Sequence, residues 1–422
     1  MSQFVQIHAF CSYPGTLLNR DDVGFAKRLP FGGTTRTRIS SQCLKRHWRT
    51  FDGEDAISRI VSVDDSPIEL SVRSRITFQK LVIDPLVAEG RDPERVRAAT
   101  ERVIAKVLGQ SKQAKADKAE AAKPKKGKKG EAEAAPAPVE ALQTNQVTVI
   151  GPAELRYFKG LVDRVVQSGG PVEAGVDEAL KDAKKNIEAL KRAAGIDAAL
   201  FGRMVTGDVL AQGDAAVHVA HAFTVHGETV ENDYFSAVDD LLKGGDEAKL
   251  GSGHIGSVEL TSGLYYIYVV VDVALLVSNL EGVAQKNWRE ADRRLAGEVV
   301  SRLVKLIATV SPGAKKGSTA PYAYADAVLV EVGSRQPRTL ANAFQRAVDD
   351  RELLPATYSA LGRHLAKFDL AYGRKEERRL MAVDLEGLTE DEQKGLLKAA
   401  GESVSLDALA SWVRAQVVEA CG

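Results

Sequence analysis

Gly263-Leu264-Tyr265-Tyr266-Ile267-Tyr268-Val269-Val270-Val271-Asp272-Val273 is a run of aromatic and β-branched residues with no alternation of apolar and polar positions. A strand apolar on both faces belongs in the middle of a sheet, with layers packed above and below it. On its N-terminal side, residues 202–256 read as short extended segments punctuated by Gly213, Gly227, Gly244, Gly245, Gly251, Gly253 and Gly256. That pattern predicts a protruding hairpin with a flexible base. On its C-terminal side come a helix over about 285–308, a Gly/Lys/Ser loop over 312–321, a strand at 327–332 and helices near 340–349 and 376–381. Thr389 and Glu392 are spaced as a capping box, Gly401 stops that helix, and a last helix holds Trp412.

At the other end of the chain, residues 4–11 predict a first strand, with Val5, Ile7 and Ala9 on one face. A long loop is expected over 13–39, carrying Pro14, Gly15, Pro30, Gly32 and Gly33. Ser40 and Ser41 then open a helix to about Phe51, with Leu44, Trp48 and Phe51 on one side and Gln42, Lys45, Arg46 and Arg49 on the other. Residues 54–108 read as mainly helical with an extended piece near 68–78, and helical periodicity returns over 152–167 and 172–194, before Gly195. Strand, helical insert, hairpin, strand, helix and strand in that order make an α+β fold with split βαβ character.

The 422 residues, 44% hydrophobic and 27% charged, exclude a wholly disordered or fibrous chain. No apolar run approaches the ~18 residues of a membrane span. Three cysteines (Cys11, Cys43, Cys421) scattered along the chain give no disulfide framework or paired metal motif, and a reducing, cytoplasmic setting is expected.

Zero net charge hides a segregation. Residues 1–50 hold eight Lys/Arg against Asp21 and Asp22, and residues 111–130 hold eight Lys against Asp117 and Glu120. Without those, 41 of the 57 basic and 53 of the 57 acidic residues remain. Positive charge is therefore local, as a groove for a polyanion requires. Residues 111–138, a Lys/Ala/Pro/Gly stretch without aromatic or β-branched residues until Val139, read as a solvated loop or frayed helix.

Arg36 and Arg38 alternate with threonines, so both point to one side of an extended segment that feeds a helix N-terminus. Unpaired N–H groups and a partial positive charge make that terminus a phosphate dock, which Ser40, Ser41 and Gln42 extend with donors and Lys45 and Arg49 with charge. The competing reading is an ordinary solvated helix. Tyr234 and Phe235 are either an exposed stacking pair for bases or a small core beneath a loop. Asp21 and Asp22 suit either Mg²⁺ or a turn cap and ion pair, and Lys315 and Lys316 suit either a target-strand or neighbour contact or a solvated loop. His218, His221 and His226 do not converge on one face, and no metal site is expected. No phosphate-loop, zinc-protease or nucleophile-elbow motif is present, so nothing nominates an enzyme.

These residues give the chain a resemblance. Asn19 to Asp22, Phe31 to Gly33, and the set Arg36, Arg38, Ile39, Ser40, Ser41, Gln42, Leu44, Lys45 and Arg46 are similar to the signature of the backbone subunit of the type I-E CRISPR complex Cascade (the CasC or Cse4 family). Further matches are Gly202 to Met204, Ala220 to Ala222, Tyr234 to Asp240, Ser262–Gly263, Pro312 to Lys315 and Ala341 to Phe344. The insert at 111–138 departs from the family, and Tyr234 departs from a relative that has Trp there. The resemblance implies a ferredoxin-like, RRM-like palm with a helical fingers insertion and a β-hairpin thumb. On that plan residues 1–52 and 261–422 form the palm, 53–200 the fingers and 201–260 the thumb. It implies a non-catalytic subunit without a cofactor that polymerises in about six copies along CRISPR RNA, beside other Cascade subunits, and meets target DNA through the guide in antiviral defence. Each thumb would kink the guide and flip out every sixth base. By position, Gln42, Lys45 and Arg49 would grip the guide backbone with Arg20, Arg36, Arg38, Ser40 and Arg46 beside them. Met204, Tyr234 and Phe235 would border the flipped base, and Arg203 is expected among the RNA-binding residues. Two other readings stay open: a backbone subunit that cleaves RNA through Asp21 or Asp22 with Mg²⁺, and an RNA-binding scaffold outside CRISPR systems.

Overall fold

The computed structural model describes residues 2–61, 69–108, 141–190, 195–203, 214–237 and 254–419. The chain forms two compact units, one of Met1–Asp65, Val217–Val277 and Gln285–Gly422, the other of Ser66–Ala216 and Ser278–Ala284. Among the described residues no helix is long and apolar enough to cross a membrane. The expected Lys-rich insert at 111–138 lies outside the described residues, as does Met204.

The strands, in chain order, are β1 (Phe4–Thr16), β2 (Arg28–Phe31), β3 (Thr34–Ile39), β4 (Val72–Ser74), β5 (Thr148–Ile150), β6 (Val217–Val219), β7 (Ala222–Thr224), β8 (Val230–Ala237), β9 (His254–Asp272), β10 (Ala327–Gly333) and β11 (Glu377–Ala382). In the first unit they make an antiparallel sheet of order β11-β10-β1-β9-β7-β3-β2, with β6 and β8 also paired to β9. β9 is central, as its composition predicts, with Val269 opposite Ile7 of β1 on one side and Val219 of β6 on the other. Beyond the body of the sheet, β8 and the first part of β9 continue as a hairpin arm in which Tyr234 faces Ser257 and Phe235 faces Gly256.

One face of the sheet packs Phe10, Tyr266, Leu329 and Leu380 against Tyr358, Leu361 and Leu365 of the helix Leu353–Tyr372 and Leu396 of Glu390–Ala400. Helices Arg294–Thr309 and Leu406–Val418 pack on one another and on β1, β10 and β11. Their approach is close: a Cβ on Gly297 would lie 2.7 Å from Val418 Cγ2.

Inside this core sits a buried charge network. Glu331 of β10 accepts from His8 Nε2 (3.1 Å), Arg338 (2.6 and 2.9 Å) and Arg378 Nε (2.6 Å), and Arg378 also pairs with Asp369 (2.7 and 2.8 Å). Burial pushes the Glu331 carboxyl up, but the hydrogen bonds of His8 and Arg338 outweigh it and hold the group well below the carboxylate range. Burial, with two arginines nearby, holds His8 below its ordinary value, so its Nδ1 accepts from the Tyr266 hydroxyl at 2.8 Å.

The network explains one misreading. Residues 376–381, expected as a helix, are strand β11, because the inward Arg378 disguises a period-2 pattern that its partners make compatible with burial. About half of the loop expected over 13–39 is strand: β1 runs to Thr16, and β2 and β3 form a hairpin around Gly32 and Gly33. The helix expected from about 285 begins at Arg294, and that expected near 340–349 is a single 3₁₀ turn, Ala341–Phe344. The helices at 41–50 and 152–167, the strand at 327–333, the Thr389–Glu392 capping box and the Gly401 stop are as read.

The second unit is mainly helical. Pro93–Val107, Pro152–Gln167 and Val172–Leu190 enclose Val96, Val103, Phe158, Leu161, Val162 and Val176, and the two-stranded β4–β5 sheet brings Ile150 into the same core. Arg203 is only 4% exposed and pairs through both terminal nitrogens with buried Glu154 (2.6 and 2.9 Å).

Candidate nucleic-acid interface

Helix Ser41–Thr50 (α1) starts where sequence chemistry places it. The Ser40 hydroxyl accepts the Cys43 N–H at 3.3 Å, and the Ser40 N–H donates to Asn19 Oδ1 at 2.8 Å. No acid stands in the first turn, so nothing offsets the positive end of the helix. Leu44 and Trp48 are buried, while Gln42 and Arg46 are exposed and Lys45 and Arg49 half-buried. One face therefore anchors the helix while the other presents charge.

The fold adds a second basic segment to this surface. The Gly313 N–H donates to His47 Nε2 (3.4 Å) and the Ala314 N–H to the Leu17 carbonyl (3.0 Å), which fixes the loop carrying Lys315 and Lys316 beside α1. His47 Nδ1 donates to the Cys43 carbonyl at 2.8 Å, leaving Nε2 as the acceptor. Burial, with Lys316 and Arg46 nearby, lowers its pKa and keeps it neutral. Lys315 Nζ stands 5.9 Å over the Phe235 ring. Tyr234 is 66% exposed and Phe235 39%. Loop, helix and aromatic pair thus adjoin, which no local sequence signal shows; only the spacing of His47 and Gly313 in three dimensions makes it visible.

The remaining expected residues divide. Arg20 is exposed. Arg38 is half-exposed, its Nε donating to the Arg28 carbonyl (3.0 Å) and its Nη1 to His221 Nδ1 (3.2 Å). Arg36 is a correction: it is fully buried and its guanidinium donates to the carbonyls of Thr224 (3.0 Å) and Phe344 (3.1 Å), so it ties the sheet together. Arg203, in its buried pair with Glu154, is likewise structural. Ser40 is buried and spent on the cap. Asp21 is a turn cap, its Oδ1 accepting the N–H groups of Val23, Gly24 and Phe25 (3.0, 2.8 and 2.9 Å). His226 is also committed, with Nδ1 on the Gly227 carbonyl (2.6 Å) and Nε2 accepting from Leu264 N–H (3.2 Å). Among the described residues no group of three His, Cys, Asp or Glu is placed to hold a metal ion.

The chain is thus α+β, with a central antiparallel sheet, a hairpin arm and a helix, α1, whose last turn adjoins a basic loop that reaches the exposed aromatics. The family model for CT1975-like protein matches residues 5–412, and the chain belongs to that family. It is similar, at 27% identity and TM-score 0.72, to a chain of a solved CRISPR RNA-guided surveillance complex, pre-nicking, with 97% of this chain and 100% of that one covered. A chain of another CRISPR RNA-guided surveillance complex shares the fold at TM-score 0.53 and 21% identity, over 99% and 100% of the two chains. No curated protein matches.

Proposed function

We propose that this protein is a Cascade-type CRISPR surveillance subunit, and within that class the backbone subunit of a type I-E complex. The family and the 27% identical surveillance-complex chain support the class. The observations that carry the finer reading are the polar face of α1 with Gln42, Lys45, Arg46 and Arg49, the Lys315–Lys316 loop fixed against α1 at His47, and the Tyr234–Phe235 pair over which Lys315 stands. A subunit that must accept any guide holds phosphates and leaves base edges to Watson–Crick pairing. On this reading the sheet is an RRM-like palm, the mainly helical unit the fingers, and the β8–β9 arm a thumb that kinks the guide. About six copies line the CRISPR RNA among other Cascade subunits, and target DNA is met through the guide.

The subunit is non-catalytic in this proposal, in which Asp21 is a turn cap whose Oδ1 accepts three backbone N–H groups. The test is to identify the RNA and proteins that co-purify with the tagged chain, then to incubate the assembly with complementary RNA and Mg²⁺. Repeat-flanked RNAs of uniform length, with the complement left intact, are the expected result. Periodic cuts abolished by Asp21→Ala or Asp22→Ala would replace this reading with an RNA-cleaving one, and RNA of mixed origin would point to a scaffold outside CRISPR systems.

A further inference from the structure

Beyond the basic loop the chain runs Ala320-Pro321-Tyr322-Ala323-Tyr324-Ala325. Tyr322 and Tyr324 are 73% and 75% exposed, two large aromatic rings in water two residues apart. The backbone holds them there. Ala323 is clamped on both sides by the buried Ser311 hydroxyl, which accepts its N–H (3.0 Å) and donates to its carbonyl (2.9 Å). The Ala325 N–H is tied to the Ala308 carbonyl at 2.7 Å. The alanines are thus pinned while the tyrosines between and before them face out. Ala320, at φ +40°, is the non-glycine residue with positive φ among the described residues, a strained turn of the kind that gathers at functional sites. The segment also folds back toward Lys316: a Cβ on Gly313 would lie 2.6 Å from Pro321 Cγ and 3.2 Å from Lys316 Cγ. Asp326, the next acid, is engaged by the Ser12 N–H and hydroxyl (3.0 and 2.8 Å).

We propose that Tyr322 and Tyr324, with Lys315 and Lys316 beside them, form a second contact for single-stranded nucleic acid, in which bases stack on the two phenol rings and the lysines meet the adjoining phosphates. Exposed aromatics next to positive charge suit a single strand because every base has a π-face and every linkage a charge. The inference rests on the nucleic-acid reading above and extends its surface from the Lys315–Lys316 loop to the two tyrosines.

The test uses the purified full chain and fluorescently labelled single-stranded RNA and DNA of mixed sequence, titrated over a range of salt. Tyr322→Ala/Tyr324→Ala should weaken binding by roughly 5- to 150-fold per stacked base and leave the log–log salt slope unchanged. Tyr322→Phe/Tyr324→Phe, which keeps the rings, should bind like wild type. Lys315→Ala/Lys316→Ala should instead lower the slope by about 1.4 for the two contacts. An alanine variant with wild-type affinity overturns the proposal. If that variant also sediments as a smaller species, the tyrosines are an interface between copies. A wild-type chain that binds neither probe overturns the nucleic-acid reading itself, and this inference with it. Thermal unfolding of each variant distinguishes lost binding from lost folding.

Discussion

Arg36 and Arg38 stand two residues apart on one strand and do different things. Arg36 has no exposure, and its partners lie at Thr224 and Phe344, distant in sequence, so no local pattern marks it as structural. Replacing it with alanine leaves two buried carbonyls unpaired, at about 1–3 kcal/mol for each. Arg36→Ala should therefore lower the thermal midpoint markedly, and Arg38→Ala should change it little while weakening RNA binding. Equal midpoints would remove the distinction. The Ser40 cap, by contrast, was legible because capping is local chemistry: its hydroxyl needs only the N–H three residues on. On α1, Lys45→Ala and Arg49→Ala should each lower the magnitude of the salt slope for single-stranded RNA by about 0.7, equally for all guide sequences. A loss confined to certain sequences would mean that α1 reads bases.

At the level of elements, legibility followed whether the signal was periodic and self-contained. Pro152–Gln167 shows its apolar stripe and was read with its bounds. β11 was misread because Arg378 points inward, and β2 because its alternation, Leu29 and Phe31 inward and Arg28 and Pro30 outward, spans only four residues and includes a proline. The turn between β2 and β3 turns on Gly32, whose φ is +61° and where a Cβ would stand 1.6 Å from the Gln345 carbonyl oxygen. Both objections to a side chain coincide there, so Gly32→Ala should cost more than the roughly 1 kcal/mol of an ordinary glycine replacement and displace the hairpin that leads into α1. Gly256 is the other critical approach: a Cβ would lie 2.4 Å from Phe235 Cζ. Gly256→Ala should shift the ring and reproduce the binding defect of Phe235→Ala with unfolding little changed. Normal RNA binding by Gly256→Ala would show that the ring position is immaterial.

Across the whole molecule, the order of strand, helical insertion, hairpin, central strand, helix and strand was readable, because β9 is apolar on both faces and the Gly-rich stretch precedes it. The convergence of α1, the Lys315–Lys316 loop and Phe235 was not, since residues far apart in the chain meet there only through the sheet. The pH response is also collective. His8, His47 and His226 are each held below the ordinary histidine value, burial being the largest cause in all three. Their neutral forms are favoured by folding, so stability is full above about pH 6.5 and falls as the pH drops below it and the unfolded chain takes up protons first. Glu331 acts in the same direction only at more acid pH, below the ordinary carboxylate value. Unfolding midpoints should thus decline between pH 7.5 and 5.5, and a flat profile would contradict the burial of these rings.

The central claim is that each copy grips guide phosphates through α1 and interrupts base stacking with the Tyr234–Phe235 pair. Its most direct test is the affinity of the assembled complex for target DNA as a single mismatch is walked along the guide. The account predicts mismatch tolerance recurring about every six nucleotides in the wild type, and loss of that period in Tyr234→Ala/Phe235→Ala, whose guide still binds through Lys45 and Arg49. A wild-type profile without the period, or a double variant that keeps it, would contradict the account.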